Sequence, residues 1–150
     1  MGAHVAHEVV KGLIKRGVCL TDCRILVLGL AFKEDTPDLR NTRVIDIVCE
    51  LEDYGATVEV HDPVVDAEEA REAFGLELVS SEQLAELASA GGSQDPTAQI
   101  EVAYDAAILA VAHRSFIAQG AEGIRQWLKS NGYLYDVKYA FARDAVDGRL

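Results

Sequence analysis

Basic side chains are scarce in this chain. Fourteen Lys and Arg stand against 25 Asp and Glu over 150 residues, a formal charge of −11. A polyanion needs a basic face, so nucleic acid is excluded as a main partner. Any anionic ligand must be gripped by a few local cations against an unfavourable overall field. Cysteine is sparse and odd in number, so Cys19, Cys23 and Cys49 cannot all pair. In a domain with an adequate core, this reads as reduced thiols in a cytoplasm. Long apolar runs are missing as well. The purely apolar stretches, such as 106–112, fall far short of the ~20 residues that span a bilayer. Lys11, Lys15 and Arg16 break up the N-terminal apolar positions, so no signal peptide is read there and no membrane partner is expected. No Walker loop, Ser-His-Asp arrangement or paired-carboxylate signature is present.

What remains is ordinary globular material, 49% hydrophobic and 26% charged. Disorder, collagen and a disulfide-stapled mini-protein are excluded, and the length suits one domain. Val5, Ala6, Val9, Val10, Leu13 and Ile14 form one apolar stripe at helical spacing, predicting a helix over 4–16 closed by Gly17. It begins abruptly, as the tail of a longer helix would. Residues 24–30 (RILVLGL) read as a strand buried on both faces, followed by a polar loop from Lys33 to Arg40. A helix is expected over 42–54, capped by Asn41 or Thr42, with Cys49 as a small core residue. Residues 57–61 predict a second strand. Asp66 with Glu69, and Ser80 with Gln83, look like capping boxes opening two more helices. A third strand is read at 76–79, a flexible loop at 91–99, and a central strand at 106–111. A helix is read at 120–130, a last strand at 132–137, and a polar tail of uncertain order from Tyr139. Alternating strands and helices imply a doubly wound α/β fold, a parallel sheet of about five strands preceded by an N-terminal helix. Ligands in such sheets bind beyond the carboxyl ends of the strands, here the loops after Leu30, His61, Val111 and Tyr135.

The first strand-to-helix turn carries Gly29 alone where a dinucleotide site would carry G-x-G-x-x-G. In its place are Lys33 at the strand end and Arg40 just before a helix. These either attract phosphate to the helix N-terminus or pair on the surface with Glu34, Asp35 or Asp38. Asp62, ending the second strand before Pro63, is either a ribose-holding acid or a turn former. His113 is either a general base or a strand-end histidine satisfied by backbone. Cys19 and Cys23 with His4 and His7 have spacing too loose for a closed zinc site, and no metal is expected.

The run from Val27 to Thr42 (VLGLAFKEDTPDLRNT), then Gly55-Ala56-x-Val58-x-Val60-x-Asp62-Pro63, resembles the C-terminal UDP-binding domain of the UDP-glucose/GDP-mannose dehydrogenase family. Ala112-His113-x-x-Phe116, Tyr135-Asp136-Val137-Lys138 and the closing Asp147-Gly148-Arg149-Leu150 extend the resemblance over nearly the whole chain. It implies a Rossmann-like domain, residues 17–150, that closes over a UDP-sugar. Residues 1–16 would be the end of a central connecting helix through which the whole enzyme forms a homodimer. The family oxidises the C6 alcohol of a nucleotide sugar to a carboxylate in two NAD-dependent steps. By position, Phe32, Lys33 and Lys138 are implied to contact the UDP-sugar and Arg40 the NAD cofactor. Asn41-Thr42 after Arg40, and Asp136-Val137-Lys138, resemble the subgroup acting on UDP-N-acetylglucosamine or UDP-N-acetylgalactosamine. The family's nucleophilic cysteine, Gly-rich NAD loop and catalytic lysine match nothing in this sequence. The resemblance therefore implies a fragment with no catalytic residue of its own, inactive alone, in a pathway of polysaccharide biosynthesis. Two other classes remain open on the residues: a stand-alone nucleotide-binding regulatory module without catalysis, and an interaction domain whose apolar N-terminal helix pairs with another chain.

Overall fold

A computed structural model describes residues 2–40, 42–90 and 104–149. The loop expected at 91–99 and the candidate cap Asn41 lie outside the described residues. The element order is α1 (Gly2–Lys15), β1 (Arg24–Leu28), α2 (Val44–Asp53), β2 (Thr57–His61), α3 (Ala67–Phe74), α4 (Ser81–Ala90), β3 (Tyr104–Leu109), α5 (Arg114–Arg125), β4 (Leu128–Asp136) and β5 (Gly148–Arg149), with short 3-10 turns at Leu20–Asp22 and Arg143–Ala145.

The strands form one sheet in the order β2-β1-β3-β4-β5, every pairing parallel. Parallel neighbours need crossovers, and these put helices on both faces. Alternate residues therefore enter two separate cores. Ile25, Val27, Ala106 and Ile108 join α1 and α2 on one side. Leu26, Leu28, Ala107 and Leu109 join Leu84, Phe116, Ile124 and Trp127 on the other. This two-sided burial is why β1 and β3 read as unbroken apolar runs. In α1 the stripe Val5, Ala6, Val9, Val10 and Leu13 is buried, each larger side chain worth about 1.5–3 kcal/mol of burial.

Local signals hold where a side chain satisfies backbone nearby. Asp66 accepts from the Glu68 and Glu69 amides at 2.9 and 3.2 Å, and Gly75 ends α3 in the left-handed region. Ser80 and Gln83 bond reciprocally at 2.9 and 3.1 Å to open α4. At 76–79 the structure shows only one bridge, Leu78 to Val60, rather than a strand. Counted as a further edge, that bridge makes the sheet order 3-2-1-4-5-6, the order of dinucleotide-binding sheets.

Elsewhere the expectations are corrected. The helix expected at 120–130 is α5, Arg114–Arg125. Gly120 does not start it but kinks it, at φ 75° and ψ 168°. Trp127 lies in the turn and Leu128 in the next strand, both buried by tertiary packing. β4 begins four residues before the expected 132, because a register shift between its Tyr104 and Ala106 pairings absorbs the polar 129–132. It is not the last strand. The tail is docked: β5 pairs with Tyr135 and Asp136. Asp147 accepts from the Leu134 amide at 2.9 Å, Arg16 at 2.7 Å and Arg125 at 3.0 Å. Cys49 is exposed and Cys23 is the buried thiol. The α2 core stripe is Val44, Ile47, Val48 and Leu51, and at 100° per residue Cys49 falls on the opposite side.

β1 stops at Leu28, two residues before the expected end, because Gly29 turns the chain at φ 97°. A Cβ there would lie 2.5 Å from the Val111 Cβ and 2.9 Å from the Val111 amide nitrogen. Gly29→Ala should lower unfolding stability by about 3 kcal/mol, from the left-handed penalty plus overpacking. The midpoint of urea denaturation reads this; an unchanged midpoint would contradict the close approach.

Candidate functional site

The sheet reverses direction of growth between β1 and β3, so the loops leaving these two strands part and leave a crevice. A cleft of about 200 Å³ sits there, walled by Phe32 from the β1 loop, Arg43 and Val44 from the start of α2, Val111 from the β3 loop and Lys138 from the β4 loop. Thr42 shapes one side. Its hydroxyl donates to the Leu30 carbonyl at 2.7 Å and accepts from the Val44 amide at 3.2 Å, tying the loop to the strand end and capping α2. Two cations, Arg43 and Lys138, thus stand at a cleft whose remaining wall is mostly apolar. Wider hollows lie elsewhere: about 480 Å³ along the tail by Tyr139 and Arg143, about 320 Å³ by His61 and Trp127, and about 250 Å³ by Lys11 and Tyr133. None of these three is walled by both switch-point loops.

Beneath the cleft lies Asp62, the residue after β2. One carboxylate oxygen accepts from the Leu30 amide at 2.7 Å, the Ala31 amide at 3.0 Å and His113 Nε2 at 2.9 Å. The other accepts from the Val64 and Val65 amides at 2.8 and 3.1 Å. The ribose-holding alternative has no support in this geometry, since Asp62 is occupied by its own chain. Burial by itself would raise its pKa. The hydrogen bonds from His113 and from the Leu30, Ala31 and Val64 amides outweigh that and hold the carboxyl far below the usual range.

His113 is fully buried. Its Nδ1 accepts from the Asp35 amide at 2.9 Å, which places the ring proton on Nε2, pointed at Asp62. Of the two alternatives for His113, the structure shows the strand-end residue satisfied by its surroundings. Asp136, also fully buried, plays a related part as the last residue of β4. It accepts from the Lys138 and Phe141 amides, each at 2.9 Å, and so turns the loop that carries Lys138.

The residues singled out from sequence fall in different places. Phe32, half exposed at 50%, and Lys138 share the cleft. Lys33 is exposed on the same loop without forming part of the wall. Arg40 is exposed, and its Nε and Nη2 donate to the two Asp38 oxygens, each at 3.1 Å. Those hydrogen bonds lower the Asp38 pKa. The surface-pair alternative therefore describes Arg40. Sequence reasoning missed Arg43 and the Asp62–His113 contact. The first lacked any motif, and the second joins residues 51 apart. The carboxylates at the ends of two strands, Asp62 just past β2 and Asp136 closing β4, were the usable signal.

Asp62→Asn keeps the shape but turns amide hydrogens toward donors. It should lower stability near neutral pH by about 3 kcal/mol in urea denaturation. A depressed folded-state pKa makes wild-type stability complete above the unfolded value of about 3.9, and the stability is lost as pH falls below it. The variant's acid decline should be shallower; equal slopes would mean that Asp62 is not the group responsible.

Residues 26–143 match the family described as UDP-glucose/GDP-mannose dehydrogenase, UDP binding domain. The whole chain is 43% identical to a UDP-N-acetyl-D-glucosamine 6-dehydrogenase of Pseudomonas aeruginosa and 39% identical to one of Salmonella typhi. It spans only 32% and 31% of those two proteins. Among solved structures, an NDP-N-acetyl-D-galactosaminuronic acid dehydrogenase from Methanosarcina mazei matches over 96% of this chain and 26% of its own, with a TM-score of 0.73 at 23% identity. A UDP-D-ManNAc dehydrogenase from Pyrococcus horikoshii matches over 98% of this chain and 30% of its own, with a TM-score of 0.69 at 20% identity. These two likenesses bear on the fold alone. A nucleotide-binding sheet, a cationic cleft at its switch point and whole-chain identity to sugar-nucleotide dehydrogenases lead to one assignment: the chain belongs to the UDP-glucose/GDP-mannose dehydrogenase family, of which it is the UDP binding domain.

Proposed function

We propose that this domain holds the UDP part of a UDP-N-acetylhexosamine within a protein that oxidises the sugar's C6 alcohol to a carboxylate in two NAD-dependent steps. The observation that carries the reading is the switch-point cleft, which combines Phe32, Arg43 and Lys138 in a chain of net charge −11. Phe32 offers an aromatic face to the uracil or sugar ring. Lys138 and Arg43, beside the α2 N-terminus, neutralise the diphosphate, and Lys33 adds charge from the loop above. The N-acetylhexosamine is supported by the two relatives that share the whole chain and by the Asn41-Thr42 and Asp136-Val137-Lys138 segments.

NAD does not fit as a resident of this domain. The amides that would cradle its pyrophosphate after β1 are occupied: Gly29 donates to the His61 carbonyl at 2.8 Å, and Leu30 and Ala31 donate to Asp62. The cofactor belongs to another part of the whole protein, and Arg40 is the exposed residue offered toward it. The chemical steps lie outside these residues. Their contribution is to bind and orient, and in the whole protein α1 continues the connecting helix through which two copies pair in the cytoplasm.

Half of a cleft pays the full ordering cost of binding with part of the contacts, so the chain should bind UDP at about millimolar Kd in titration calorimetry. Lys138→Ala should weaken that binding about tenfold, since a charge-assisted contact is worth roughly 1.5–3 kcal/mol. Arg40→Ala should leave it unchanged. Equal affinity for wild type and Lys138→Ala would remove Lys138 from the site.

A further inference from the structure

Two non-glycine residues have left-handed backbone among the described residues, Asp35 at φ 56° and Tyr139 at φ 55°. Each stands beside a cation of the proposed site: Asp35 two residues after Lys33, Tyr139 directly after Lys138. L-residues adopt this region at a steric penalty, and such strain survives only where the surroundings impose it.

For Asp35 the imposing contacts all come from the start of α5. The Asp35 amide donates to His113 Nδ1 at 2.9 Å. One carboxylate oxygen accepts from the Arg114 amide at 2.9 Å, and the other lies 3.7 Å from Arg114 Nε. His113 is the N-cap residue of α5, yet its side chain makes no capping hydrogen bond. The cap is supplied instead from 79 residues away, by Asp35. A cap is easily built from a neighbouring Ser, Thr, Asn or Asp. One drawn from a distant, strained loop residue fixes the loop as much as the helix. His113 is itself anchored by Asp62, the carboxylate that holds Leu30 and Ala31. The loop is thus pinned at its root by Asp62 and at its crest by Asp35, with Phe32 and Lys33 between the pins.

We infer that Asp35 is a positioning residue: docked on His113 and α5, it holds the 31–40 loop in the one conformation that presents Phe32 and Lys33 to the nucleotide. This rests on the UDP-binding role proposed above. The Asp35 side chain is 42% exposed, so its removal opens no cavity, and the loop's conformation is what it controls. An undocked loop populates the binding-competent state only in part, and affinity falls by that fraction.

The test compares the 150-residue chain with Asp35→Gly and Asp35→Asn. Glycine accepts the backbone angle and keeps the amide to His113, but removes the carboxylate from Arg114. Asparagine tolerates the left-handed region, and its amide oxygen can still accept from Arg114. Asp35→Gly should bind UDP about five- to tenfold more weakly by calorimetry. Its Phe32 amide, which donates to the Asp38 carbonyl at 2.7 Å, should exchange hydrogen faster while amides of β1 and β3 keep wild-type protection. Asp35→Asn should restore both. Wild-type affinity and wild-type Phe32 exchange in Asp35→Gly would overturn the inference, and so would an Asp35→Asn as impaired as the glycine variant. If wild type itself ignores UDP, the proposed function falls, and Phe32 exchange still decides whether Asp35 pins the loop.

Discussion

The buried Asp62 carboxylate is the interaction on which the rest of the site depends. It directly follows β2, where three chain segments must change direction within a few residues. Five donors converge on its two oxygens: the amides of Leu30, Ala31, Val64 and Val65, and the imidazole of His113. The Leu30, Ala31 and Val65 amides would otherwise be unpaired buried donors, which cost about 1–3 kcal/mol apiece. One charged side chain thereby satisfies the turn after β2, the root of the β1 loop and the histidine beyond β3. Asp136 repeats the device at the end of β4 with the amides of Lys138 and Phe141.

This arrangement also resolves an electrostatic difficulty. A chain with a net charge of −11 repels anions at long range. At physiological ionic strength that field fades over about 8 Å, so the charges lining a cleft matter more than the total. Asp62 and Asp136 both turn their oxygens onto amides of the loops that wall the cleft. The groups left at the opening are cationic or apolar: Lys138, Arg43, Phe32 and Val111. Acidic residues thus serve the proposed anion site by being consumed in its scaffold.

How much of this was legible in the sequence depended on how local each determinant is. β1 and β3 showed as apolar runs because both faces are buried, and β2 was placed from Thr57 to His61. The Asp66 cap and the Ser80–Gln83 box are each closed within three residues, and both helix starts were read correctly. Beyond β3 the chain was read only in part. Gly120 looked like a helix boundary because nothing local distinguishes a kink from a start, and Asp147 looked like part of a loose tail because Arg16 and Arg125 lie far away in sequence. The site divides in the same way. Strand-end loops could be placed by rule, and Phe32 and Lys138 do share one cleft. Arg40 turned instead to Asp38, a partner two residues away, and the Asp62–His113–Asp35 chain could not be seen because its members join only in the folded sheet.

The crevice between the β1 and β3 loops is the proposed place where a nucleoside diphosphate is held. The most direct measurement is the map of backbone amide chemical-shift changes on titrating this chain with UDP. Changes centred on Ala31, Phe32, Val44, Val111 and Lys138, fading along the strands below, are the predicted result. Changes centred on the hollow by His61 and Trp127 or along the Tyr139–Arg149 tail, or no saturable change at all, would contradict it.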